Sequence, residues 1–112
     1  MISERIVAAI RPICPIYAEV ADTASVPYAA YSINERPLYD KEGPWARQAD
    51  VTILIVSGSF DESDHLADAV EEALNALRSE MLVVMTSRDP YESTDAQLYA
   101  VELTYQFTEE IG

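Results

Sequence analysis

The chain has 112 residues, of which seven are basic and twenty acidic, for a formal net charge of −13. That length holds one domain with a single modest core, and an apolar share of 49% belongs to an ordinary globular protein rather than a disordered one. The charge excludes sequence-independent binding to nucleic-acid phosphates, or to anionic membrane surfaces, through basic patches.

Cys14 stands alone, so an intrachain disulfide is ruled out, which fits a reducing compartment. The opening Met1–Val7 has no basic n-region, and Glu4 and Arg5 interrupt its apolar run, unlike a signal peptide. No uncharged apolar stretch approaches the ~20 residues of a membrane-spanning helix. A protein made and kept in the cytosol is expected.

Ser3 is a candidate N-cap for a first helix carrying Ile6, Val7 and Ile10 on one stripe. Pro12 and Pro15 end or distort it, and Ile13, Ile16 and Tyr17 read as a broken second turn. A first strand follows at Val26–Ile33, with Pro27 at its start. The polar stretch Asn34–Pro44 is too long for a tight turn and reads as a projecting loop.

The second strand runs from about Trp45 to Val56. Arg47, Ala49, Val51, Ile53 and Ile55 form its core face; Gln48, Asp50, Thr52 and Leu54 form the other. A Ser57-Gly58-Ser59 turn leads into an acidic amphipathic helix, where Ser59 and Glu62 are spaced for a capping box. Leu66, Val70, Ala73, Leu74 and Leu77 define its apolar face, and Asp64, Asp68, Glu71, Glu72 and Asn75 its wet face. Met81–Thr86 reads as a third strand and Arg88–Asp95 as a second long acidic connection. Leu98–Phe107 is the last strand, with Tyr99, Val101, Leu103, Tyr105 and Phe107 on one face.

The expected architecture is α+β, one domain over residues 1–112. The order is α-β-β-α-β-β, a four-stranded, mainly antiparallel sheet with two helices packed on one face. The opposite face is left to solvent or a partner.

Little chemistry is on offer. Asp61, His65 and Asp68 could share a helical face and hold a divalent ion, but a solvated first turn is the plainer reading and no metal is expected. Asp89, Glu92 and Asp95 lack the spacing and glycine of a calcium loop. Cys14 has no neighbouring cation or His to lower its pKa and reads as a small buried hydrophobe. No catalytic set and no cofactor are expected. The aromatics are more telling: Tyr39, Trp45 and Tyr91 sit in or beside the two long connections, where large amphipathic rings suit subunit contacts. With Arg47, Asp89, Glu92 and Asp95 they make up the candidate interface.

The run Val26-Pro27-Tyr28 … Gly43-Pro44-Trp45 … Arg47–Ile55, then Ser59-Phe60-Asp61 and the Leu66–Leu77 helix, resembles the tail terminator, or tail-completion, proteins of long-tailed phages and prophages. Pro27 to Tyr31 matches a Pro-x-x-x-Tyr-like strand. Arg47 matches the basic residue that opens an apolar strand, and Ala67, Val70, Ala73 and Leu74 match the helix signature. The resemblance implies a non-enzymatic virion protein, typically a hexameric ring, that caps the tail tube and offers a docking surface for the head–tail connector. It implies assembly in the host cytoplasm and residence in the virion tail. An acidic ring lumen would let DNA pass without sticking. A neck or head-closure ring, a small dimeric α+β ligand-binding module, and an enzyme built on Asp61, His65 and Asp68 are the alternatives.

Overall fold

The computed structural model describes residues 2–18, 26–93 and 98–110, without the side chains of 91–93. In chain order the elements are α1 (Ile2–Ile10), β1 (Ile16–Ala18), β2 (Tyr28–Asp40), β3 (Gly43–Ser57), α2 (Phe60–Asn75), a 3-10 turn (Ala76–Ser79), β4 (Leu82–Ser93) and β5 (Leu98–Glu110). The sheet order is β1-β2-β3-β5-β4. Every neighbouring pair is antiparallel except β1–β2.

The α+β class and the placement of both helices on one face hold; the strand count does not. The sheet has five strands because Ile16–Ala18, expected as a helical turn, pairs in parallel with Ala29–Tyr31. Pro12 and Pro15 on either side of Ile13-Cys14 stop the helix, and the chain emerges extended. The Ala29 N–H then donates to the Pro15 carbonyl at 2.7 Å. Ser3 does not cap α1, because the helix already includes Ile2 and the buried stripe is Ile2, Ile6 and Ile10.

Neither long connection is a loop over its described residues. The stretch Asn34–Pro44 is the far half of a β-hairpin, closed by Lys41 and Glu42 between the paired Asp40 and Gly43. Alternation continues through Ile33, Glu35 and Pro37 on one side and Asn34 and Arg36 on the other. Pro37 is tolerated because β1 stops opposite Tyr31, so β2 has an open outer edge there. The turn has its own chemistry: Asp40 Oδ1 accepts from the Glu42 N–H at 2.8 Å, and Gly43 takes a φ of 117° that an L side chain rarely adopts. Likewise Arg88–Ser93 is strand, paired with Leu98–Leu103.

The core lies between the sheet and the helices. Ile2, Ile6 and Ile10 from α1 and Ala67, Val70 and Leu74 from α2 pack on Val51, Ile53 and Ile55 of β3 and on Leu103, Tyr105 and Phe107 of β5. The buried stripe of α2 is rotated from the expected one and includes Ser63 and Ala67, while Leu66 and Leu77 are only partly buried. Small side chains at 63 and 67 bring the helix close to the sheet. There the Ser63 hydroxyl donates to the Tyr99 carbonyl at 2.8 Å and lies 2.6 Å from the Ser57 hydroxyl. Ser59 caps α2 as expected, accepting the Glu62 N–H at 3.2 Å.

Candidate assembly surfaces

The candidate interface residues fall at opposite ends of the sheet. Tyr39, Trp45 and Arg47 share the β2–β3 hairpin, whereas Asp89, Tyr91 and Glu92 lie on the far half of β4. Along β5, Arg47 pairs with Glu109 and Asp89 with Glu102, a separation of roughly 23 Å at the usual strand rise. The side chains of Tyr91 and Glu92, and all of Asp95, lie outside the described residues.

At the hairpin end, Tyr39 is 68% exposed next to the turn. The β2–β3 register shifts between Leu38 and Tyr39, leaving Trp45 as an extra residue. The bulge places Trp45, still 44% exposed, in an open cleft lined also by Arg78, Met81, Leu82 and Thr108. Arg47 is half-exposed, its Nη1 3.9 Å from Glu35 Oε2, a loose pair that leaves the buried Glu35 Oε1 without a partner among the described residues. On the outer face, Arg36 reaches Asp50 at 2.5 Å and also binds Gln48, while Gln106 donates to Asp50 at 3.3 Å. These hydrogen bonds, led by Arg36, hold the Asp50 carboxyl below its ordinary pKa. The result is a polar face whose side chains are tied to one another across three strands.

At the other end Asp89 is exposed and directly opposite Glu102, two like charges on one face. Its neighbour Arg88 has a different role, one missed by sequence reasoning. The β4–β5 register shifts between Met85 and Ser87, so Thr86 is an extra residue and the alternation of β4 inverts beyond it. Arg88 thereby turns to the helix side. It binds Asp64 at 2.5 Å, Asp68 at 2.8 Å and Glu71. The expected wet face of α2 is thus partly an ion-pair network. The only available sequence signal was the spacing of Asp64, Asp68 and Glu71, which puts three acids on one helical face. Asp68 is therefore committed to Arg88, away from the Asp61/His65 grouping considered for a metal. Beneath this hub the Tyr105 hydroxyl is buried with no partner among the described residues. Burial, reinforced by the charge of Glu71, pushes its pKa up to about 12.

Among the described residues no helix is long and apolar enough to cross a membrane. No protein-family model matches the chain, and no curated protein matches it. Among solved structures the chain is similar to a component of the virion of a native gene transfer agent particle, with a TM-score of 0.68 at 17% identity. The likeness covers 95% of this chain and 84% of that one, and what the two share is a fold.

Proposed function

We propose that this chain is a structural virion component of a phage-like particle, in the role of a tail terminator. Copies close head-to-tail into a hexameric ring on the end of the tail tube, stop its elongation and offer a surface to the head–tail connector. The observation that carries the reading is the fold shared, over almost the whole chain, with a component of a gene transfer agent virion. The tail-terminator resemblance of the Pro27–Tyr31, Arg47–Ile55 and Leu66–Leu77 segments supplies the finer role.

The architecture suits such work. The β2–β3 hairpin presents Tyr39 and Trp45 at one end of a 52 Å long molecule, and the acidic end of β4 lies toward the other. Two distinct surfaces on one subunit are what a head-to-tail ring requires. The reading needs no catalytic step. We assign the particle, and assembly in a bacterial cytoplasm, on the same grounds.

The test is to add the purified protein to polymerising tail-tube protein encoded beside it. Tubes that stop growing and carry a ring at one end, seen by electron microscopy, support the proposal. Tubes of unchanged length with bare ends refute it.

A further inference from the structure

We propose that the outer edge of β4 at Leu82–Thr86 is a self-association surface, through which two copies of this chain pair antiparallel about a two-fold axis centred on Val84. This contact is separate from the head-to-tail ring contacts and does not rest on the virion reading.

Among the described residues β4 is an edge strand, hydrogen-bonded only to β5. Folded proteins protect such edges with charge, proline or short length, because an open ladder recruits another strand. Elsewhere this sheet follows the rule. On one side β1 is three residues long, and the free part of β2 carries Glu35, Arg36 and Pro37. On the other, the far half of β4 carries Arg88, Asp89 and Pro90. The run Met81–Ser87 has no charge, no proline and no glycine, in a chain where 24% of residues are charged. Leu82 is 63% exposed, Val84 42% and Met85 41%. Trp45, across the cleft from Leu82, adds a fourth exposed apolar side chain. Half of the large apolar side chains that the described surface exposes are gathered at this corner.

Charge selects the occupant. At a net charge of −13, two copies repel over most of their surfaces, and they approach best where the surface is neutral. Val84 is the midpoint of the uncharged run. A register centred there sets the whole uncharged run Met81–Ser87 of one copy against that of the other, whereas a register shifted to either side sets part of the run against its charged flanks, Glu80 at one end and the Arg88 ion-pair cluster at the other. The extra residue at Thr86 confines regular pairing to the middle of the run. In this register Leu82 and Met81, at the cleft end of β4, face Thr86 and Ser87 of the second copy, and the two Val84 side chains face each other.

The experiment is sedimentation equilibrium of the full chain across a concentration series. A monomer–dimer equilibrium is expected. Val84→Lys sets two like charges face to face and should raise the dissociation constant by about tenfold or more, with circular dichroism unchanged. Val84→Cys should give a disulfide-linked dimer under mild oxidation, and mass spectrometry should place the bond at position 84. A strictly monomeric protein overturns the proposal, as does a dimer insensitive to Val84→Lys. A ladder of larger species that Val84→Cys does not cross-link shows head-to-tail edge pairing and overturns it too.

Discussion

Arg88 of β4 and Asp64 of α2, twenty-four residues apart in the chain, meet at 2.5 Å, and the one-residue bulge at Thr86 is what points the arginine at the helix. Asp68 and Glu71 converge on the same guanidinium. The three acids hold the Arg88 pKa above its ordinary value, the hydrogen bond that Arg88 donates to Asp68 contributing most. One cation thus ties the acidic side of α2 to an edge strand.

Replacing that cation leaves three carboxylates facing one another. Arg88→Ala is expected to lower stability by about 1–2 kcal/mol, discounted because Asp64 and Asp68 are half-exposed or more. Arg88→Lys should recover only part of the loss, since an ammonium cannot span the three acceptors. Thermal unfolding of both variants checks this; an Arg88→Ala protein as stable as the parent would show that the hub is idle.

Tyr105 makes a prediction of opposite sign. Its hydroxyl is buried without a partner among the described residues, so Tyr105→Phe removes an unsatisfied polar atom while keeping the ring that stacks on Phe107 at 5.6 Å. The change should be neutral or stabilising by up to about 1 kcal/mol. Because the folded pKa is raised to about 12, Tyr105 keeps its proton while the unfolded tyrosine loses it. Its contribution is fully present below pH ~10 and is lost as pH rises from there toward 12. Denaturant midpoints between pH 9 and 11.5 should therefore fall less steeply for Tyr105→Phe than for the parent, and parallel slopes would contradict the assignment.

Asp50 governs the acid side. Its folded pKa is depressed by Arg36 and Gln106, so its contribution is present above the unfolded carboxyl pKa and is lost as pH falls through the lower folded value. The parent should lose stability below pH ~4 more steeply than Asp50→Asn. Urea titrations between pH 2.5 and 5 read the difference, and identical profiles would remove Asp50 from the account.

The hairpin tip separates folding from assembly. Gly43→Ala forces a Cβ into a backbone with φ 117° and should cost about 1 kcal/mol. Tyr39→Ser removes an exposed ring and should leave the melting temperature within about 1 °C, since surface changes of this kind are nearly neutral. On the proposed function it should also weaken tube capping. Full capping by Tyr39→Ser would take this hairpin end out of the assembly contacts.

How much of this was legible beforehand differs by element. The alternation Val51, Ile53, Ile55 and the run Val101 to Phe107 marked two strands and their buried faces, because a period of two in the sequence is the same period in space. Ser59 marked the start of α2 for an equally local reason, a side-chain oxygen placed to accept the N–H three residues on. Tyr39 and Trp45 stood out in the sequence as candidate subunit contacts because of their type and their place beside a long connection; the structure adds that both side chains are exposed. The long hairpins were read as loops because Pro37, Gly43 and Pro90 look like breaks, although an open strand edge accommodates the prolines and a tight turn uses the glycine.

Sequence alone therefore determined the class of the protein, the faces of its two central strands and its acidic surface, all of which depend on neighbours in the chain. Only the tertiary structure decided that Ile16–Ala18 is a strand, that Thr86 inverts the alternation of β4, and that Arg88 gathers Asp64, Asp68 and Glu71. Each of these is a pairing between distant segments, and register between strands is set by the partner, which no local pattern encodes.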